Sequence, residues 1–364
     1  MVLPPRKPKV LSPIRLAVPV FAAAVLLAVS APSSARADVP VDTARREGLP
    51  RKVLIGTALC GQELFSTPLE ERLHRMNEIV DAISAEAKAH HAGKRLDLVV
   101  LPEAFIARTG DSMAKRSVRL AEVQDAIGAC ARDHGCYLVA PMNLQETDRC
   151  SNAAVLFDRT GKVVGMYRKV HPVADQGSDV IESGTTPGSD FPVFDCDFGR
   201  LGIQICFDLL YEDGWAALAK QGAEIIALPT ASPETVHPSQ HALEEHVYIV
   251  SAAGKRHAAV YSPLGLIEAG ITEQGVLVHE IDLSYKILHW EAVLEEGAAL
   301  TRKYGDRVGY DYRNDQDAGI FWSNDPAMPI GRMVADMGLV DSDANAERVR
   351  ILDDKARGGP PRMP

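Results

Sequence analysis

No two cysteines of this chain stand in a CxxC arrangement and no His/Cys spacing matches a metal-binding finger, so no metal site is expected and no cofactor is implied. His90-His91 reads as a solvated helix end, and His237, His241 and His246 read as loop and helix-surface residues, the last two being five apart on a helix. Acidic residues are missing from the first 37 positions, and basic residues are outnumbered in the rest. Beyond residue 37 there are 34 Lys+Arg against 49 Asp+Glu, a net charge near −15, which excludes nucleic acid as a natural partner. No second long apolar run follows the one at Leu16–Val29, so no stable membrane span is expected once that run is removed.

That first run is an address. Arg6, Lys7, Lys9 and Arg15 precede it, Pro19 interrupts it, and Ala35-Arg36-Ala37 supplies a small-x-small cleavage site before Asp38. Residues 1–37 are read as a secretory signal peptide, which predicts an exported protein, periplasmic or extracellular. No adjacent arginine pair stands in the basic region, which favours the general export route over the twin-arginine one. With one cysteine set aside as a nucleophile, five remain: Cys60, Cys130, Cys136, Cys150 and Cys196. Among these the cluster at 130, 136 and 150 is the expected source of a disulfide, its connectivity open.

From Lys52 strands and helices alternate. Residues 53–59 read as a strand, and Thr67-Pro68-Leu69-Glu70 as a capping box opening a helix whose stripe is Leu69, Leu73, Met76, Ile79, Val80, Ile83 and Ala87. An apolar strand over 96–101 stops at Pro102-Glu103. Residues 153–157 and 163–167 flank the turn Asp158-Arg159-Thr160-Gly161 as a hairpin, whose second strand ends at Arg168-Lys169. Leu201, Ile203 and Ile205 alternate with Gly202 and Gln204, delivering Cys206 to a strand-to-helix junction where backbone N–H groups are free to face a developing negative charge. Taken singly, these are a core thiol, a loop acid and a surface cation. Taken together, Glu103, Lys169 and Cys206 end three separate apolar strands.

This arrangement resembles the nitrilase, or carbon–nitrogen hydrolase, superfamily over about residues 52 to 290. The match is carried by Leu-Pro-Glu-Ala-Phe at 101–105, Tyr-Arg-Lys-Val-His at 167–171, Phe-Gly-Arg-Leu-Gly-Ile-Gln-Ile-Cys-Phe-Asp at 198–208, and the blocks at 222–230 and 263–265. The resemblance implies an α/β fold, a four-layer α-β-β-α sandwich, and a Glu-Lys-Cys triad acting on a small amide-type substrate. Glu103 would be base and then acid, Cys206 the nucleophile, and Lys169 with the Phe207 backbone N–H the oxyanion stabilisers. Pairing keeps the lysine charged, and partial burial is expected to keep the glutamate basic enough to act near neutral pH. Glu182 fits a second glutamate that orients the lysine in many relatives, with Asp175 and Asp179 as near competitors.

Cys206-Phe207-Asp208 resembles amidase branches more than true nitrilases, and the chain departs from many relatives with Tyr211-Glu212-Asp213 and Ala216. An amidase is the first reading. An N-carbamoyl (ureido) hydrolase or a nitrilase is the alternative, and a silent ligand-binding protein on the same fold the rival from another class. The expected organisation is a leader at 1–37, a linker at 38–51, a hydrolase domain at 52–290 and a C-terminal extension at 291–364, polar and poor in apolar periodicity. Tyr310, Tyr312, Phe321 and Trp322 there suit either an arm onto a partner subunit, in a homodimer or higher homo-oligomer, or a tail wrapping its own domain.

Overall fold

Apolar side chains on both faces of the first strand set the architecture. In β1 (Lys52–Leu59), Leu54 and Ala58 face one core while Val53 and Ile55 face another, as a strand buried on both sides must. The computed structural model describes residues 48–359. The expected leader at 1–37, and the linker as far as residue 47, lie outside the described residues.

After β1 come α1 (Leu69–His90), β2 (Leu98–Val100), α2 (Met113–Arg116), α3 (Leu120–His134), β3 (Tyr137–Gln145), β4 (Cys150–Phe157), β5 (Val163–Arg168), β6 (Phe194–Asp195) and β7 (Arg200–Ile203). A 3₁₀ turn at Cys206–Leu210 leads to α4 (Asp213–Lys220), β8 (Ile225–Thr230), α5 (Val236–Glu245), β9 (Tyr248–Ala253), β10 (Ala258–Tyr261), β11 (Ile267–Ile271) and β12 (Gly275–Asp282). The main strand order is β5-β4-β3-β2-β1-β9-β8-β7-β6, with β12 antiparallel to β1 and β10 antiparallel to β9. Only Leu59 and Ala253 pair across the β1–β9 junction, and there the sheet divides into two halves.

Three cores give the layers. Leu54, Val99, Leu138 and Val155 pack against Met76, Ile83 and Ile127 of α1 and α3. Val53, Ile55, Val100 and Val139 meet Leu201, Ile203, Ala227 and Val250 between the halves. Ile226, Leu228 and Ile249 pack against Trp215, Leu218 and Ala242 of α4 and α5. The result is the α-β-β-α sandwich, with period-2 alternation feeding each neighbouring core.

Three local expectations change. The capping box at Thr67 does not form: Thr67 Oγ1 donates to Leu64 O at 2.8 Å, closing the preceding turn, and Pro68 takes the N-cap position with no side-chain cap. The expected disulfide is absent, all six cysteines being free thiols. Cys130 and Cys136 are packed in the outer core, and the Cys150 thiol donates to Gln145 Oε1 at 3.1 Å. The stretch that reads as aperiodic folds: β13 (Tyr285–His289), α6 (Ala298–Tyr304), β14 (Val308–Arg313), β15 (Ala318–Ser323), α7 (Ile330–Ala335) and α8 (Ser342–Arg357) surround a core of Leu288, Leu300, Phe321 and Met333. Phe321 is buried and stacks on Tyr310 at 5.4 Å, and Lys52 lies 5.4 Å over the Trp322 ring.

Candidate active site

Three strand ends converge on one buried point. Glu103 lies just beyond β2, Lys169 directly follows β5, and Cys206 opens the turn after β7. Pro102 ends the apolar run, and Ala104 takes a left-handed φ of 51°. Lys169 Nζ donates to Glu103 Oε1 at 2.9 Å, and the Cys206 thiol lies within electrostatic reach of the same carboxylate. Glu103 is 6 % and Lys169 1 % exposed, and Cys206 as a whole residue is half-buried.

Cys206 itself has φ 46°, a strained conformation for a residue with a Cβ. Asp208 holds it there. Its fully buried Oδ2 accepts from Ile205 N and from Tyr167 Oη, both at 2.8 Å, while Oδ1 accepts from His171 N at 2.9 Å. One carboxylate thereby ties the cysteine turn to the strand end that carries Lys169. The turn's first backbone bond runs from Asp208 N to Ile205 O. That leaves the Phe207 N–H without an acceptor among the described residues, as the start of a helical turn requires.

Glu182 joins the same cluster: Lys169 Nζ donates to its Oε1, and Glu182 too has a left-handed backbone, φ 38°. Of its competitors, Asp175 accepts from Ser183 N at 3.0 Å and braces the loop, and Asp179 is exposed. Three contributors escape a sequence reading. Asn152 Nδ2 donates to Glu103 Oε1 at 2.9 Å and to Glu182 Oε2 at 3.2 Å, and Ala231 N donates to Glu103 Oε2 at 3.0 Å. The third is Asp208. A polar residue inside the buried strand β4 is the available signal for Asn152, and an acid two residues after the cysteine that for Asp208; a backbone donor such as Ala231 leaves none.

The electrostatics differ from expectation in one respect. Burial works to raise the Glu103 pKa, but the Lys169 charge and hydrogen bonds from Lys169 and Asn152 outweigh it and hold the carboxyl below its ordinary 4.5. Burial likewise opposes the Lys169 charge, and Glu103, Cys206 and Glu182 together push its pKa above 10.5. The Cys206 thiol is pushed up to about 12 by burial and then by Glu103, against the lowering effect of Lys169. At neutral pH the cluster is a carboxylate, an ammonium and a protonated thiol: a base already charged beside a proton it can take.

His241 also departs from its surface reading. It is 3 % exposed, lies with Nε2 2.9 Å from Leu209 O and stacks on Trp215 at 4.5 Å, while His237 pairs with Glu234. Among the described residues no group of three or more His, Cys, Asp or Glu side chains is arranged to hold a metal ion.

The family described as "Carbon-nitrogen hydrolase" matches residues 56–287. The chain is 32 % identical over 222 residues to a nitrilase of Pyrococcus abyssi (55 % of this chain, 82 % of that one). It is 26 % identical to an omega-amidase of Xenopus laevis, covering 53 % of this chain and 79 % of the other. Its fold is similar to the crystal structure of a carbon-nitrogen hydrolase from Helicobacter pylori, with TM-score 0.54 and 19 % identity over 64 % of this chain and 90 % of that one. An amidase from a Nesterenkonia species superposes with TM-score 0.51 at 22 % identity, covering 64 % and 91 %.

Proposed function

The chain belongs to the carbon-nitrogen hydrolase family, and on that premise we propose that it is an amidase that releases ammonia or an amine from a small amide through a thioester on Cys206. Glu103 takes the thiol proton as sulfur bonds the amide carbon. Lys169 Nζ and the Phe207 N–H stabilise the resulting oxyanion. As the tetrahedral adduct collapses, Glu103 returns the proton to the departing nitrogen, the C–N bond breaks, and the acyl group remains on sulfur. Glu103 then takes a proton from water, whose oxygen attacks the thioester; the C–S bond breaks, the thiolate recovers the proton, and a carboxylic acid leaves. Glu182 orients Lys169 throughout.

The observation that carries this reading is the shared carboxylate: Glu103 Oε1 accepts from Lys169 Nζ at 2.9 Å, and the same carboxylate is near enough to act on the charge of the Cys206 thiol. The test is a panel of small aliphatic and aromatic amides, ureido acids and nitriles, followed by ammonia release and intact mass with Cys206→Ala as control. Turnover of an amide by the wild type alone supports the proposal. Turnover confined to ureido acids or to nitriles replaces it with one of those activities. Binding without turnover across the panel replaces it with a silent binding protein.

We further propose that the protein is exported and self-associates. The leader pattern at 1–37 supports the first, and exposed Leu210, Tyr211, Val236 and Leu243 support the second. A mature mass beginning at Asp38 in the periplasm or medium, and sedimentation of that species as a dimer or larger, are the expected results.

A further inference from the structure

Lys169 is one cation shared by two carboxylates. Glu103 Oε1 and Glu182 Oε1 both accept from its Nζ, so one ammonium faces two negative groups in a site where water is largely excluded. Two carboxylates this close ordinarily compete, one of them keeping its proton. A neutral donor stands between them. Asn152 Nδ2 reaches Glu103 Oε1 at 2.9 Å and Glu182 Oε2 at 3.2 Å, and the residue is 4 % exposed. Its backbone O accepts from Lys169 N at 2.8 Å, extending the β4–β5 ladder by one rung and setting Asn152 beside the lysine.

The orientation of the carboxamide is forced, because the opposite one would point its oxygen at two carboxylate oxygens. Its Oδ1 is consequently buried with no hydrogen-bond partner among the described residues. An orphaned buried carbonyl is a cost that an apolar residue of the same shape avoids. Bearing that cost is understandable if the amino group is needed where it points. We propose that Asn152 is a positioning residue for the hydrolysis, its carboxamide clamping Glu103 and Glu182 side by side on the single Lys169 ammonium. The inference rests on the reading of Glu103 as the base. The other groups facing Glu103 are the Cys206 thiol and the Ala231 N–H, both from the opposite half-sheet, the latter donating to Oε2 at 3.0 Å.

The test reads the carboxyl group itself, so it does not depend on finding a substrate. The ¹³C resonance of the Glu103 side chain, assigned with Glu103→Gln, is titrated in the wild type, in Asn152→Leu and in Asn152→Ala. In parallel, alkylation of Cys206 by iodoacetamide is followed by intact mass against pH. The expected result is a Glu103 midpoint higher by about one pH unit or more in both variants, with the acid limb of alkylation moving by the same amount. A midpoint that stays in place in a variant whose near-ultraviolet circular dichroism matches the wild type overturns the proposal. If the midpoint moves but no amide, ureido acid or nitrile is turned over, the clamp stands and the amidase reading fails.

Discussion

Glu103 sits under two opposed influences, burial and the Lys169 ammonium, and the ammonium wins. The kinetic consequence has a sign. Loss of the base form on acidification occurs as pH falls through the depressed Glu103 value, so the acid limb of kcat/KM should lie below 4.5. Lys169, held above 10.5, adds no limb on the alkaline side up to about pH 9. A pH–rate profile with its acid midpoint near pH 6 would contradict this. The same residues should act as a unit. Glu103→Gln, Lys169→Met and Cys206→Ala are each expected to lower kcat/KM by roughly 10³-fold or more, and a double variant to lose little beyond the worse single one; losses that multiply would mean independent roles.

At the scale of elements, Asp208 is the tie between two strand ends. Replacing it with Ala leaves Ile205 N, His171 N and Tyr167 Oη without their acceptor, at a cost of about 1–3 kcal/mol for each group left unpaired. The expected result for Asp208→Ala is a drop in the urea midpoint with m unchanged, together with slower alkylation of Cys206, because the left-handed cysteine backbone loses its restraint. A midpoint within error of the wild type would remove Asp208 from this role. The strands that bring Glu103, Lys169 and Cys206 together were legible because each is an unbroken apolar or alternating run that stops at a proline, a basic pair or a turn. What braces them was not. Asn152 and Asp208 act across |i−j| separations of 49 and 37, to Glu103 and His171, and neither propensity nor periodicity encodes such a contact. Thr67 failed as a cap for a related reason, its hydroxyl being drawn to a preceding turn that has no sequence period.

For the whole molecule, the buried thiols make stability sensitive to alkali. Cys60, Cys130 and Cys136 are each pushed up to about 12, chiefly by burial, from an ordinary 9.0. In the unfolded chain these thiols ionise near 9 while the fold keeps them protonated, so between 9 and 12 the unfolded state binds fewer protons. Their contribution is fully present below pH 9 and is lost as pH rises toward 12, at up to about 1.4 kcal/mol per pH unit for each thiol. Under reducing conditions the urea midpoint should fall between about pH 8 and pH 10; a constant midpoint would show that the thiols are exposed or bridged. The sandwich was readable at this scale because its three cores follow from alternation in the strands and stripes in the helices. The C-terminal unit was not, because its core is assembled from short pieces, Leu288, Leu300, Phe321 and Met333, that meet only in three dimensions.

The central claim is that an acyl group passes through Cys206, and acid-quenched intact mass spectrometry during turnover of a responsive amide tests it most directly. The account predicts a transient mass increase equal to the acyl group, located on the peptide that contains Cys206, formed with the first equivalent of ammonia and absent from Cys206→Ala. Ammonia release by Cys206→Ala at the wild-type rate, or an acyl group found on another residue, would contradict it.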